Sequence, residues 1–331
     1  MELEYTTALV TGGAGFIGSH LVDRLLDIGL AVRVLDDMSN GHETNIERSR
    51  QRAGFELVVG DVRSQETVES ATRNIDVVFH EAAKVSVMHS ARDPRLYFDV
   101  NVMGTLNLLE ACRRNDVRKF VQASSSSVYG NTPVLPKSEV MPTSPMSPYA
   151  VTKLTQETLA LSFCHTYGLN TTALRYFNVY GPRQRGGSYA GVISIFISRA
   201  LAGDPLPIEG DGMQSRDFTY VSDAVQANIL AAASAISKGR VYNVGGGGRI
   251  TIEKLADAVI SHTQSKSTKV FGPRRLGDVQ DSLADLKRIE AELGYKPAVD
   301  IMKGLAATIA WQREASAVKT QVSIESQPRG A

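Results

Sequence analysis

The chain has 331 residues, 43% of them hydrophobic, with 36 Lys and Arg against 35 Asp and Glu for a net charge of +1. That length supports one large or two modest domains with a sizeable core, and the balanced charge, without a basic patch interleaved with aromatics, argues against a nucleic-acid partner. The two cysteines, Cys112 and Cys164, fall in predicted helices and lack C-x-x-C or His-Cys spacing, so neither a disulfide framework nor a metal site is expected.

Met1 to Thr7 carries two glutamates and runs straight into an apolar strand, the wrong charge order for a signal peptide. No apolar run approaches the roughly 20 residues that cross a bilayer, so a soluble cytoplasmic protein is the expectation. Ala8-Leu-Val10 reads as a strand, Thr11-Gly-Gly-Ala-Gly-Phe-Ile-Gly18 as a glycine turn, and Leu21 to Ile28 as a helix that Gly29 ends. Gly12 permits the tight turn, Gly15 lets the backbone approach a pyrophosphate, and Gly18 allows close packing of helix on strand. The spacing G-x-x-G-x-x-G is one residue longer than the usual dinucleotide fingerprint, but strand and helix on either side strengthen it.

A second strand, Ala31 to Leu35, ends in Asp36, an acid placed to accept hydrogen bonds from adenosine ribose hydroxyls and to repel a 2′-phosphate. NAD is therefore favoured over NADP. Phe55 to Val59 and Val77 to His80 give the next strands, with Asp61 placed for the adenine and Lys84 for the nicotinamide end. Strands alternating with helical segments predict a doubly wound parallel sheet of Rossmann type, covered on both faces.

Pro94 to Arg114 reads as one long helix with apolar residues on more than one face, leaving surface for a second copy of the chain. Lys119 to Ala123 is a fifth strand, ending in the serine run Ser124 to Ser127. Ser147 caps a further long helix, Pro148 suits its first position and Gly168 stops it. Within that helix Tyr149 and Lys153 lie one turn apart, roughly 6 Å along the axis. The cation and the nearby helix N-terminus are expected to lower the phenol's pKa, making a base that acts with a serine hydroxyl at the strand end.

Together the glycine turn, the serine strand end, Tyr149-x-x-x-Lys153, Arg175-Tyr-Phe-Asn178, Gly210-Asp-Gly-x-x-x-Arg216 and Arg275-x-Gly-Asp278 resemble the extended short-chain dehydrogenase/reductases acting on nucleotide sugars, and more narrowly UDP-hexose 4-epimerases. The resemblance runs from about Ala8 to Trp311. It implies an NAD-binding domain of residues 1–176 plus about 221–248, and a smaller α/β substrate lobe of about 177–220 plus 249–315. Residues 318–331 are expected to form a disordered tail.

By that resemblance Ser125, Tyr149 and Lys153 are catalytic. Phe16, Ile17, Asn40, Val62, Ala82, Ala83, Asn101 and Tyr176 join Gly12, Gly15, Gly18, Asp36, Asp61 and Lys84 at the cofactor. Ser126, Asn178, Arg216 and Arg275 meet the substrate, whose diphosphate two arginines can neutralise, and Asp278 its uridine ribose. Ser282, small where members restricted to plain hexoses are bulky, leaves room for a 2-acetamido group, so UDP-GlcNAc and UDP-GalNAc stand beside UDP-glucose and UDP-galactose. Related dehydratases carry an Asp and a Glu where this chain has Ser126 and Ser127, and so the groups for eliminating water are missing. Glu81 departs from the family pattern, and its carboxylate is expected to point toward His80 or a helix N-terminus. A homodimer through 94–114 and 148–167 is expected. The alternatives are a nucleotide-sugar dehydrogenase or reductase, a UDP-glucuronate 4-epimerase or decarboxylase using a cation such as Arg183 or Arg185, and a non-catalytic NAD-binding scaffold.

Overall fold

The structure is a computed structural model that describes residues 3–185, 191–274 and 279–325, with side chains to 316. In chain order its first half comprises β1 (Thr7–Thr11), α1 (Phe16–Asp27), β2 (Ala31–Asp36), α2 (Glu43–Arg50), β3 (Phe55–Val59), α3 (Gln65–Ala71), β4 (Val77–His80), α4 (Val87–Arg92), α5 (Pro94–Tyr97), α6 (Gly104–Arg114), β5 (Lys119–Ser125) and α7 (Pro148–Tyr167). There follow β6 (Thr171–Tyr176), β7 (Val179–Tyr180), α8 (Val192–Ala202), β8 (Leu206–Glu209), β9 (Ser215–Arg216), β10 (Thr219–Tyr220), α9 (Val221–Ala233), β11 (Arg240–Val244), β12 (Ile250–Thr251), α10 (Ile252–Thr263), β13 (Lys269–Gly272), α11 (Lys287–Leu293) and α12 (Ile301–Glu325).

Seven strands form one parallel sheet in the order β11-β6-β5-β4-β1-β2-β3. Parallel strands need crossovers, and helices supply them on both faces, so the strands read as apolar runs rather than alternating ones. One face buries Val10, Val34, Phe79 and Leu174 with Leu21 and Leu25 of α1 and Leu230 of α9. The other buries Leu9, Val78 and Phe120 under Leu108 of α6 and Phe163 of α7. A separate apolar cluster joins Phe196 of α8, Ile208 of β8, Leu255 of α10 and Leu305 of α12. The chain order reverses between β1 and β4, which opens a crevice at the carboxyl ends of the strands.

Two elements differ from expectation. Residues 94–114 are helical throughout but not one α-helix: a π-helical turn, Phe98–Met103, separates α5 from α6. The surplus residue of such a turn lets Asn101 point inward, where it is fully buried. The last helix runs to Glu325, well into the segment expected to be a disordered tail. Among the described residues no helix is long and apolar enough to cross a membrane, and no cluster of side chains is suited to a metal ion.

At the opposite end of the sheet, Lys119 at the start of β5 is fully buried, and its ammonium donates to Asn170 (2.9 Å), Thr172 (2.8 Å) and Ser237 (2.6 Å). All three acceptors are neutral, so burial pushes its pKa from 10.5 down to about 7. Between those values the unfolded chain binds the proton more tightly, and stability from this site rises with pH across that window, flattening below it. Thermal unfolding of Lys119→Met between pH 7 and pH 10 is expected to show a shallower rise than the unaltered chain.

Candidate active site

The crevice is a cleft of about 1020 Å³ lined by the strand ends, the N-terminus of α1, the serine run and the first turns of α7. At one end the glycine turn closes on itself: Gly15 N donates to the Gly12 carbonyl at 3.0 Å, and Gly12 has φ +68°. A Cβ on Gly12 would collide with the Ala82 backbone, and one on Gly18 with the Gly12 carbonyl. Helix α1 starts at Gly15 with no side-chain cap, so its first-turn amides are left for an anion that can approach without obstruction. Asp36 accepts from the amides of Ala14 and Met38, each at 2.9 Å, which orients a carboxylate whose remaining lone pairs can take ribose hydroxyls. Closed glycine turn, uncapped helix and oriented acid fit an NAD dinucleotide.

Phe16, Ile17, Asn40, Asp61, Val62, Ala82, Ala83 and Lys84 line this cleft as well. Asp61 is paired with Arg63, whose guanidinium holds the carboxyl below the usual range. Lys84 Nζ donates to Ser39 at 2.9 Å. Asn101 is buried behind the cleft wall. Its amide clamps the Lys84 backbone through bonds of 2.8 and 3.0 Å and reaches Thr152 of α7 at 3.0 Å, so it braces the wall from behind.

Helix α7 is anchored as its sequence predicts: Ser147 accepts from Ala150 N at 3.1 Å, Pro148 opens the helix, and Gly168 adopts φ +76° at its end. Tyr149 and Lys153 both face the cleft, as does Ser125 at the end of β5. The expected acidification is not what the chain alone produces. Burial raises the phenol's pKa, and the neighbouring Ser125 hydroxyl only partly opposes it. Lys153 is itself buried and pushed down to about 8, with Glu81 and then Glu157 opposing that loss of charge.

Glu81 also departs from expectation. His80 is occupied by Thr11 (2.7 Å) and Thr105 (2.9 Å), and burial lowers its pKa to about 3, so it is neutral and offers Glu81 no charge. The Glu81 carboxylate instead accepts from the Tyr176 hydroxyl at 2.7 Å, and Asn228 of α9 donates to that same hydroxyl at 2.7 Å.

Ser126, Asn178, Arg216 and Ser282 line the same cleft. Arg216 is oriented by the Ser215 carbonyl (2.9 Å) and the Gln280 carbonyl (3.2 Å), and Asn178 by the Asp217 carbonyl (2.8 Å). Arg275 and Asp278 lie outside the described residues. Lys137 and Ser127 are lining residues to which the sequence reading gave no role. Lys137, which donates to the Gly130 carbonyl at 3.1 Å, is a buried cation whose pKa is lowered by burial and then by Arg216. It sits in an aperiodic proline-flanked loop that carries no sequence signal. Ser127 has a buried hydroxyl without a protein partner, and the run of four serines did not single it out.

The residues 8–245 match the model of the NAD dependent epimerase/dehydratase family. The chain is 41% identical over 310 residues to a UDP-glucose 4-epimerase of Mycolicibacterium smegmatis, covering 93% of this chain and 99% of that one. It is 34% identical over 316 residues to a UDP-glucuronate 4-epimerase of Thermodesulfobacterium geofontis, covering 92% and 96%. Its structure superimposes on the UDP-N-acetylglucosamine 4-epimerase from Methanobrevibacter ruminantium M1, solved in complex with UDP-N-acetylmuramic acid, with TM-score 0.90, 38% identity and coverage of 95% and 100%. A glycine turn that fits NAD, a serine–tyrosine–lysine set in the same cleft and these matches along nearly the whole chain make it an enzyme of the NAD dependent epimerase/dehydratase family, within the extended short-chain dehydrogenase/reductases that its motifs resemble.

Proposed function

We propose that the chain is a UDP-hexose 4-epimerase that oxidises C4 transiently and re-reduces it from the opposite face, acting on UDP-glucose and UDP-galactose and on their 2-acetamido counterparts. The observation that carries this reading is that Ser125, Tyr149 and Lys153 line the same cleft that also holds the uncapped end of α1. Bound NAD supplies the hydride acceptor and, when oxidised, a positive charge. Tyr149 takes the proton of the 4-hydroxyl as C4 loses its hydride and returns it in the reverse step. Ser125 holds the same oxygen, and Lys153 binds the nicotinamide ribose and keeps the site electropositive.

Inversion requires a sugar that can turn while its nucleotide stays fixed. Arg216 and Lys137 put positive charge in the wall of the cleft, where Arg275 and Asp278 are proposed to join them on the diphosphate and uridine. The residues proposed for the sugar are the neutral Ser126, Ser127 and Ser282, which hold it by exchangeable hydrogen bonds. The uronate alternative needs a cation at C6. Arg183 is neutralised by Asp23 of α1 at 2.6 Å, which favours the plain hexose, whereas among the described residues Arg185 donates only to the neutral Thr44 hydroxyl and is the cation the uronate reading would use. Denaturing the purified protein and identifying the released nucleotide, then following UDP-glucose, UDP-GlcNAc and UDP-glucuronate by chromatography, tests the reading. Turnover of UDP-glucuronate alone would replace it.

The two lobes inferred from the motifs are proposed to divide this work, with the seven-stranded sheet gripping NAD and the cluster around α8, α10 and α12 gripping the nucleotide. Dimerisation is proposed through the helices 94–114 and 148–167, where Phe98 (39%) and Met103 (47%) are exposed. A monomeric mass by light scattering at micromolar concentration would reject the dimer.

A further inference from the structure

Strands β1 and β4 run side by side with Thr11 opposite His80, and the His80 ring is buried between two threonine hydroxyls. Thr11 Oγ1 stands 2.7 Å from Nδ1, and Thr105 Oγ1 of α6 stands 2.9 Å from Nε2. A hydroxyl has one proton to donate, so the other neighbours of each threonine decide which way these bonds run. Thr105 Oγ1 lies 2.6 Å from the Asn101 carbonyl, which can only accept, and the Thr105 proton is committed there. Gln156 donates to that same hydroxyl oxygen at 2.7 Å. Toward His80, Thr105 is therefore an acceptor, and Nε2 carries a proton. In a neutral imidazole Nδ1 is then bare, so Thr11 donates to it while accepting from the Ala82 amide at 3.2 Å.

Both ends of this chain of bonds close on one short stretch of the cleft wall. At one end is the Ala82 amide; at the other the Asn101 side chain accepts from the Lys84 amide at 2.8 Å and donates to the Lys84 carbonyl at 3.0 Å. Ala82, Ala83 and Lys84 all line the cleft, and a Cβ on Gly12 would meet the Ala82 nitrogen at 2.8 Å. The stretch is thus blocked by the glycine turn on one side and tied back through Thr11 and Asn101. We propose that His80 is a positioning residue for the cofactor: its neutral ring, protonated on Nε2, spans Thr11 and Thr105 and so fixes residues 82–84 as the wall against which NAD lies. The buried ring acts through the two threonines rather than by contact. The proposal rests on the reading that NAD occupies this cleft and not on the choice of sugar.

In NAD-bound protein labelled with 13C and 15N, the His80 ring nitrogens, assigned through bonds from the His80 backbone, are expected at neutral pH to show a proton on Nε2 and none on Nδ1. A proton on Nδ1, alone or with one on Nε2, would overturn the proposal. His80→Phe keeps a flat ring and removes both nitrogens. In it the Ala82 and Lys84 amides are expected to exchange with solvent about tenfold faster or more, with protection inside β1 and α7 retained, and the Kd for NAD to rise by a comparable factor. His80→Gln, whose amide can still donate to Thr105, is expected to recover more of the protection at Lys84 than at Ala82. Unchanged exchange at both amides would sink the proposal, and faster exchange with unchanged NAD affinity would reduce the ring to a structural brace and sink it equally. If His80→Phe does not fold, Thr11→Val takes its place: it removes one hydroxyl at constant shape, and an unmoved Nδ1 resonance there would overturn the proposal. None of these readouts needs turnover or a sugar, so all of them would survive a failure of the epimerase reading.

Discussion

Tyr149→Phe is expected to lower epimerase turnover by about 10²–10⁴-fold while leaving UDP-sugar affinity within a few-fold, because a positioned acid–base group contributes on that scale. The phenol and Ser125 line the cleft from α7 and β5, whereas Arg216 and Lys137, proposed to attract the diphosphate, line it from other segments. Removing one hydroxyl therefore removes the proton acceptor without disturbing the nucleotide grip. Steady-state kinetics paired with calorimetric titration of UDP checks both halves. Near-normal turnover would strip Tyr149 of its role, and a parallel collapse of UDP binding would mean the ring is structural.

Arg175→Leu is expected to cost about 3–5 kcal/mol of folding stability, the scale seen when one member of a buried ion pair is removed. Arg175 and Glu157 are 4% and 3% exposed, and the guanidinium also donates to Tyr129 at 2.8 Å, which in turn donates to Asn243 at 2.7 Å. Deleting the cation strands the Glu157 carboxylate between β5, β6 and α7. The double variant Arg175→Leu/Glu157→Leu is expected to be markedly less destabilised than the single one, since no buried charge is left alone. Denaturant midpoints for the two proteins decide it. Equal midpoints would show that the pair's local packing, rather than its charge, sets the cost.

The main elements were legible because they rest on local chemistry. Ser147, Pro148 and Gly168 are cap and stop signals that act within a few residues, and the glycine turn is set by backbone geometry that neighbouring side chains do not alter. What stayed hidden depends on contacts between distant segments. Nothing near Glu81 in the chain announces Tyr176, which lies 95 positions away on another strand. Asn101 was placed at the cofactor from its motif, but the π-helical turn that aims it at Lys84 follows from packing against α7. The phenol of Tyr149 was expected to be acidified because helix spacing shows the lysine and the helix end but not the burial that outweighs them.

That π-helical turn sets a rule about chain length. One surplus residue rotates α5 by about 100° from where an uninterrupted α-helix would put it. The rotation serves two tethers of the stretch from Lys84 to Ser86: the Asn101 amide on the Lys84 backbone, and the Tyr97 hydroxyl, which accepts from Ser86 N at 3.1 Å. Trimming any single position between Phe98 and Met103 would thus yield a more regular helix and a slacker cofactor wall, so in this segment a deletion is more damaging than most substitutions.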